Sequence, residues 1–213
     1  MTGVLVIVAI GAGLASGLLT DQSPFWSRIF KIAASTATIS IVLTGDPDAS
    51  GYMMFITAGL AASWLGDLAL SFTGQRQFLV GLVAFAVAHG LYTAGFFART
   101  SMDVVAVAAS GIAMALTAAA ILRWLAPHTP EPMRVPVAAY VGIISVMVVA
   151  SFGTSGTLAD PRIPMAAVLF AISDVLVARD RFVAPALANR VVGLPIYFIA
   201  QVLFAVTVVI PWT

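Results

Sequence analysis

Long apolar segments recur along this chain of 213 residues, and each is ended by a short polar or Pro/Gly-containing break. A helix of about 20 apolar residues is long enough to cross the roughly 30 Å hydrocarbon core of a membrane. Water cannot be the main solvent of the chain, because 61% of its residues are apolar and only 9% are charged. We therefore predict a single polytopic membrane domain over residues 1–213.

The spans are predicted to be helices and not strands of a membrane barrel. Barrel strands alternate apolar and polar residues, whereas segments such as IGAGLASGLL and AVAASGIAMALTAAAIL are apolar on all sides. The first segment lacks a basic start and a good cleavage site, so we expect it to remain as the first helix. The fold class is all-α, with eight transmembrane helices at residues 3–19, 27–44, 52–72, 78–98, 104–122, 135–152, 163–178 and 188–210.

The basic residues predict the orientation in the membrane. Eight of the ten Lys and Arg residues lie near the odd-numbered loops, which predicts that these loops are cytoplasmic and that both termini are extracytoplasmic. The Ala- and Val-rich, Lys-poor composition favours a bacterial plasma (inner) membrane. No basic cluster is dense enough to indicate nucleic acid binding. With no Cys, the chain has no disulfides and no thiol chemistry.

Two of the nine acidic residues fall inside predicted spans. Asp67 and Asp174 each lie four or five residues before the cytoplasmic end of a helix, roughly 6 to 8 Å below the interface. A carboxylate at such a position is costly, which makes it a candidate for function. The other seven acids are expected in or beside loops, in contact with water: Asp21, Asp46, Asp48, Asp103, Glu131, Asp160 and Asp180.

The surroundings of the two interior acids resemble each other. LGDLALSFTGQRQF and AISDVLVARDRF both have a small residue, Asp, an apolar turn, a basic loop and Phe. This predicts two parallel four-helix repeats, related by a pseudo-twofold axis along the membrane normal. Both acids would then face one central cavity.

Further polar side chains lie within the spans or at their ends. A structural alternative applies to several of them: Asp67, flanked by serines at four-residue spacing, and His89 can be hydrogen-bond partners between helices, and Lys31 can extend to the interface. In span one we expect Gly13 and Gly17 to serve internal packing. The polar candidates are His89 and Tyr92 in span four, Arg190, Tyr197 and Gln201 in span eight, and Lys31 with Ser35 and Thr38 on one face of span two.

The order GDLAL, QFLVGLVAFAVAHGLY, ISDVLVARDRF and IYFIAQVLF resembles the YhhN-like lysoplasmalogenase family over most of residues 52–204. The resemblance implies an eight-helix membrane hydrolase that cleaves the vinyl ether bond of lysoplasmalogens to a fatty aldehyde and a glycerophospho-base. It places the acidic positions of the family on Asp67 and Asp174 and its histidine on His89. The aromatic and amide positions of the family correspond to Tyr92, Tyr197 and Gln201.

The chemistry implied by this resemblance suits two interior carboxyl groups. Vinyl ethers hydrolyse by protonation of the β-carbon and capture of the oxocarbenium ion by water. Apolar surroundings and a second carboxyl group nearby help an acid to keep its proton at neutral pH. One Asp would be the general acid and the other the base, with no cofactor or metal. His89 and Tyr92 would orient a carboxylate or position the water, and Arg190, Arg179 or Lys31 would hold the lipid phosphate.

Other functions remain open on the sequence alone. The same two acids suit a proton- or cation-coupled transporter, although only span eight is interrupted by Gly and Pro. A metal-dependent hydrolase using Asp67, His89 and Asp174 lacks a second interior histidine. A purely structural protein explains neither acid. The expected partners are a lysophospholipid substrate and membrane lipids, whereas the oligomeric state has no sequence signal.

Overall fold

The computed structural model describes residues 1–45, 50–99, 101–154 and 160–212. In these residues the regular structure is helical, apart from one backbone bridge between Met102 and Thr154. The all-α prediction is confirmed. The eight α-helices are α1 (Thr2–Leu19), α2 (Pro24–Thr44), α3 (Gly51–Leu70), α4 (Gln75–Arg99), α5 (Val104–Leu125), α6 (Glu131–Gly153), α7 (Arg162–Ala178) and α8 (Leu187–Val209).

Six of these helices are long and apolar enough to cross a membrane by length and composition: α1, α3, α4, α5, α6 and α8. Helix α7 has 17 residues and continues into a π-helical turn, Arg179–Val183. Helix α2 carries the polar stripe of Lys31, Ser35 and Thr38, which lowers its hydropathy. Eight crossings therefore remain a prediction.

Helix α8 is the centre of the bundle, in contact with α1, α2, α3 and α7. Its buried face is rich in aromatic rings, which pack against α4 and α7. The Phe204 ring stacks on Tyr92 at 4.5 Å between centroids, and the Tyr197 ring meets Phe170 edge to face at 5.2 Å. This aromatic core fixes the positions from which the polar side chains of α4, α7 and α8 project.

Helices α1 and α8 approach closely through two glycines of α1. A methyl group at Gly13 would meet the ring of Phe198, and one at Gly17 would lie 2.9 Å from the backbone oxygen of Arg190. Both glycines thus serve packing within the chain, as the GxxxG spacing predicted. Because α1 is held in this way, it packs on α2 and α8 together.

Helix α5 is held much less tightly. Its packing partner is α6, and of its 22 residues only Leu125, at its last position, is buried. One face of α5 therefore has no helix against it over most of its length. This face forms a wall of the main cavity, described below.

At the opposite end of the bundle from the α1–α2 and α3–α4 connections, one loop acid is not solvated. Asp160 is buried at 2% exposure and forms ion pairs with Arg162 at 2.8 Å and Arg99 at 3.7 Å. The expectation that water solvates Asp160 is wrong, because these two guanidinium groups replace water around it. Asp46 and Asp48, two further predicted loop acids, lie outside the described residues.

Candidate active site

A cavity of about 1230 Å³ opens at the end of the bundle where α1–α2, α3–α4 and α7–α8 are connected. It continues between α5, α6 and α7, where its walls are almost wholly apolar, including Ala109, Ala113 and Ile144. From Ala106 to Ile121, both on the cavity wall, α5 rises by roughly 22 Å. The space is therefore long, has few polar groups on its walls, and is suited to a hydrocarbon chain.

Both interior acids line this one cavity. Asp67 lies on α3 near its end, and Asp174 lies on α7 near its end. The Asp67 residue is 1% exposed, whereas the side chain of Asp174 is 19% exposed. The two carboxyl groups thus share a compartment but differ in burial.

The Asp67 carboxylate is surrounded by donors from α2 and α8. Its Oδ2 atom accepts hydrogen bonds from Ser35 Oγ at 2.5 Å and from the Tyr197 hydroxyl at 2.7 Å. The Lys31 ammonium lies 3.6 Å from Oδ1. Lys31 and Ser35 are four residues apart on α2, so the polar stripe of that helix faces Asp67. Each partner stabilises the ionised form of the carboxyl group.

A hydrogen-bonded chain continues from Asp67 into the core. The Gln201 amide donates to the Tyr197 hydroxyl at 2.9 Å, and the Tyr92 hydroxyl donates to Gln201 Oε1 at 2.7 Å. Ser63 Oγ lies 3.3 Å from the Tyr92 hydroxyl. Tyr197 lines the cavity, while Tyr92 and Gln201 stand behind it and fix its orientation.

The Asp174 carboxylate has a different set of partners, from α4 and α6. Its Oδ2 atom accepts a hydrogen bond from the Tyr140 hydroxyl at 2.7 Å, and His89 Nε2 lies 3.4 Å away. Nε2 of His89 is also 2.9 Å from the Tyr140 oxygen. His89 is fully buried, and its Nδ1 atom has no hydrogen-bond partner among the described residues. His89 therefore stands behind Asp174 and reaches the cavity only through it.

The ring of Phe170 lies between the two groups. It meets the His89 ring at 4.7 Å and the Tyr197 ring at 5.2 Å between centroids, edge to face in both cases. Phe85 contacts the Phe170 and Tyr197 rings in the same way, at 6.0 and 5.8 Å. These rings separate the two hydrogen-bonded clusters, so each carboxyl group has its own polar environment within an apolar wall.

The arginines predicted to bind phosphate are already paired. Arg190 lines the cavity mouth and forms ion pairs with Asp21 and Asp180. Arg179 donates a hydrogen bond to Asn189. Arg190 and Lys31 both line the cavity, but each has a carboxylate partner of its own.

Two members of the site were not singled out by the sequence. Tyr140 had no predicted role, and Ser35 was noted only for its helical face. Tyr140 lies in the apolar stretch VPVAAYVGII, where a hydroxyl group requires a hydrogen-bond partner, and this was the available signal. The two serines flanking Asp67 on α3 do not bond to its carboxylate, since Ser63 contacts Tyr92 and Ser71 bonds to the Asp67 backbone.

The polar clusters also link helices, as the structural alternative requires. Asp67 joins α3 to α2 and α8, and Asp174 joins α7 to α6. In the part of the chain that the structure describes, no three His, Asp or Glu side chains lie close enough together to hold a metal ion. Two carboxyl groups of the site lie beside a long apolar space.

Comparisons with known proteins agree with the sequence resemblance. The sequence model of the YhhN family matches residues 26–208, so the match includes α2. Lysoplasmalogenase TMEM86A of Bos taurus is 29% identical over 160 residues, which cover 72% of this chain. The matched region spans 65% of that relative, less than two thirds of its length.

Two further relatives carry the same kind of name. Lysoplasmalogenase TMEM86B of Sus scrofa is 26% identical over 190 residues, which cover 89% of this chain and 79% of the relative. Lysoplasmalogenase TMEM86A of Homo sapiens is 30% identical over 162 residues, 72% of this chain and 65% of the relative. No solved structure matches the chain.

Proposed function

The chain belongs to the YhhN family, and on that premise we propose that it hydrolyses the vinyl ether bond of lysoplasmalogens in the membrane. The products are a fatty aldehyde and a glycerophospho-base. The names of its relatives support this class of reaction. The observation that carries the proposal is that Asp67 and Asp174, from different helices, line one long apolar cavity.

The different partners of the two acids support different roles. Asp67 has two hydroxyl donors and a nearby ammonium group, all of which favour its ionised form. Asp174 has one hydroxyl donor and keeps part of its carboxyl group open to the cavity. In this proposal Asp174 is the general acid and Asp67 is the base.

The reaction proceeds in four proton transfers that return both groups to their starting states. Asp174 protonates the β-carbon of the vinyl ether, and the resulting oxocarbenium ion is stabilised by ionised Asp67. Asp67 then removes a proton from a water molecule while the water oxygen attacks the oxocarbenium carbon, which gives a hemiacetal. Collapse of the hemiacetal transfers the proton of Asp67 to the glycerol oxygen, and Asp174 recovers a proton from the hemiacetal hydroxyl.

The remaining predicted site residues have supporting roles. His89 acts through Asp174, which it contacts together with Tyr140. Tyr92 and Gln201 act through Tyr197, which holds Asp67. Replacement of His89 by Ala is expected to slow turnover by about 10²-fold without abolishing it, within the range for acid–base helpers.

The test is aldehyde release by purified protein from an alkenyl lysophospholipid. Asp67→Asn and Asp174→Asn are each expected to abolish release while the protein still folds and inserts into the membrane. Glu131→Gln is the matched control, because Glu131 is an exposed acid outside the cavity. Near-normal activity of either Asn variant contradicts the two-carboxylate mechanism.

The same preparation separates hydrolysis from transport. Reconstituted in liposomes without lysolipid, the protein is expected to show no flux of protons or cations. Flux that depends on Asp67 and Asp174, with no aldehyde formed from any lysolipid, would instead assign the two acids to a transporter.

A further inference from the structure

The mouth of the cavity is lined by Arg28, Arg181 and Arg190, and among the residues that the structure describes only Arg190 has an acidic partner. Arg190 pairs with Asp21 and Asp180. Arg28, on α2, and Arg181, on the π-helical turn, also line the cavity. Within the described residues, neither of these two has a carboxylate within 4.0 Å or any side-chain hydrogen bond. In the described part of the chain, no ion pair therefore neutralises either positive charge.

Both side chains are nevertheless held in place by aromatic rings. The Arg28 guanidinium lies over the Phe72 ring at 5.1 Å, and that of Arg181 lies over the Phe78 ring at 4.9 Å. Phe72 lies in the connection between α3 and α4, and Phe78 lies in the first turn of α4. A guanidinium group that rests on a ring keeps its N–H groups free in its own plane, where they can bind an anion.

The turn between these rings has a defined shape. Gly74 has φ of +130°, a conformation that other residues rarely adopt, and α4 begins at the next residue, Gln75. Arg28 lies three residues before Lys31 on α2, a helical rise of roughly 4.5 Å, and Lys31 is the residue of that helix that pairs with Asp67. Arg28 thus lies about one helical turn nearer than Lys31 to the end of the bundle where the cavity opens, and Arg181 lies at the same end, on the turn between α7 and α8.

We propose that Arg28 and Arg181 together bind the phosphate group of the lysolipid, and this inference rests on the proposed function. Arginine binds phosphate through paired, charge-assisted hydrogen bonds, and two unneutralised guanidinium groups match the charge of a phosphodiester. With the phosphate held there, the ether-linked end of the chain lies one helical turn lower, at the depth of Asp67. The hydrocarbon chain then continues into the apolar space beside α5.

The assignment differs in kind from the roles predicted for Lys31 and Arg190. Those two side chains would have to leave Asp67, or Asp21 and Asp180, before they could bind a phosphate. Arg28 and Arg181 lose no ionic partner on binding. A phosphate is therefore expected to find its principal contacts on Arg28 and Arg181.

The test measures binding, so that it does not depend on cleavage. The ligand is a 1-alkyl lysophospholipid, which has no vinyl ether to hydrolyse, and the comparison ligand is the 1-alkylglycerol that lacks the phosphate. Arg28→Gln and Arg181→Gln are each expected to weaken binding of the phospholipid by about tenfold, and the double variant by more. Binding of the alkylglycerol is expected to stay within about twofold of the wild-type value.

Arg123→Gln is the matched control, since Arg123 is an exposed arginine of α5 outside the cavity. It is expected to bind both ligands as the wild type does. The proposal is overturned if the double variant binds the phospholipid normally, or if it loses the same affinity for both ligands. A separate titration with inorganic phosphate identifies the source of the anion. The proposal is also overturned if the variants weaken the binding of free phosphate but leave the binding of the lipid unchanged.

Failure of this proposal and failure of the proposed function give different results. If the wild-type protein releases no aldehyde, but the arginine variants bind the phospholipid more weakly than the wild type does, the phosphate site stands and the hydrolase assignment falls. If aldehyde is released and the double variant has an unchanged KM, the hydrolase assignment stands and the phosphate site falls.

Discussion

Tyr140 connects Asp174 to His89 in a way that serves both protonation states of the acid. A phenol has a single proton. When Tyr140 donates it to ionised Asp174, the Tyr140 oxygen accepts a hydrogen bond from the N–H of His89 Nε2. When Asp174 is protonated, it donates to Tyr140, which then donates to Nε2. The three groups can therefore keep a hydrogen-bonded chain whichever state Asp174 is in.

Replacement of Tyr140 by Phe removes only this hydroxyl group. We expect kcat for aldehyde release to fall by about 10- to 100-fold, because a hydrogen bond to a charged group contributes about 1.5–3 kcal/mol. KM is expected to change little, since the cavity keeps its shape. The pH dependence of kcat should also shift, which a merely structural tyrosine would not cause.

The matched control for this substitution is Tyr52→Phe. Tyr52 is also buried, and its hydroxyl forms a hydrogen bond with Thr207. Neither residue lines the cavity. This variant is expected to keep the kcat and the pH profile of the wild type. An equal loss of kcat in both variants would show that Tyr140 contributes only to packing and stability.

The sequence could predict which side chains are polar and how deep they lie, but not which of them meet. Depth follows from helix ends, so Asp67 and Asp174 were expected at one level of one cavity, and they line one cavity. The bond between Tyr197 and Asp67 joins residues 130 positions apart. Such a contact depends on how each helix is rotated about its axis, and apolar spans with no polar face leave that rotation undefined. Tyr140 was missed for this reason.

At the scale of the helix, the predicted boundaries agree with the structure to within four residues. Pro and Gly breaks mark the ends, since neither continues a helix well. The largest difference is at α6, which begins at Glu131 and not at residue 135, because the Pro-containing segment before residue 135 was assigned to a loop. Pro132 of that segment lies in the first turn of α6. Proline in the first turn has no hydrogen bond to lose, so α6 can start before it.

The close approach of α1 and α8 gives a prediction for stability. Gly17→Ala is expected to lower the free energy of unfolding by about 1–3 kcal/mol, since the added methyl group would lie 2.9 Å from a backbone oxygen of α8. Gly11→Ala, on the same helix, is the control. No atom lies within 4 Å of its position, so this variant should gain up to about 1 kcal/mol from helix propensity.

Thermal unfolding in detergent measures both variants. The midpoint is expected to fall for Gly17→Ala and to stay or rise for Gly11→Ala. A Gly17→Ala protein as stable as the wild type would mean that α1 does not rest on α8 as closely as the structure has it. Because Arg190 lies at this contact, loss of the packing should also disturb its ion pair with Asp21.

Over the whole molecule, the helices that supply the partners of Asp67 correspond to those that supply the partners of Asp174. Asp67 is held from α2 and α8, and Asp174 is held from α6 and α4. If α1–α4 is superposed in order on α5–α8, as a parallel duplication predicts, α2 corresponds to α6 and α8 corresponds to α4. The duplication remains a prediction, and the two halves differ at α1 and α5. Helix α1 packs on α2 and α8, whereas α5 packs on α6.

The exposed wall at α5 leads to a prediction about the substrate chain. Ala113 of α5 lines the cavity, and Ala119 of the same helix does not, although both are exposed. We expect Ala113→Trp to raise KM for a long-chain alkenyl lysophospholipid by about tenfold, because the indole ring occupies space that the chain needs. A short-chain substrate, which ends nearer to Asp174, should be cleaved at the wild-type rate.

Ala119→Trp adds the same bulk to the outer face of α5 and is expected to leave both substrates unaffected. The measurement is kcat/KM for aldehyde release across a series of chain lengths. Equal losses for short and long chains in Ala113→Trp would place the hydrocarbon chain elsewhere. A loss that grows with chain length identifies the space between α5, α6 and α7 as its binding site, since only a chain that extends along α5 meets the added ring.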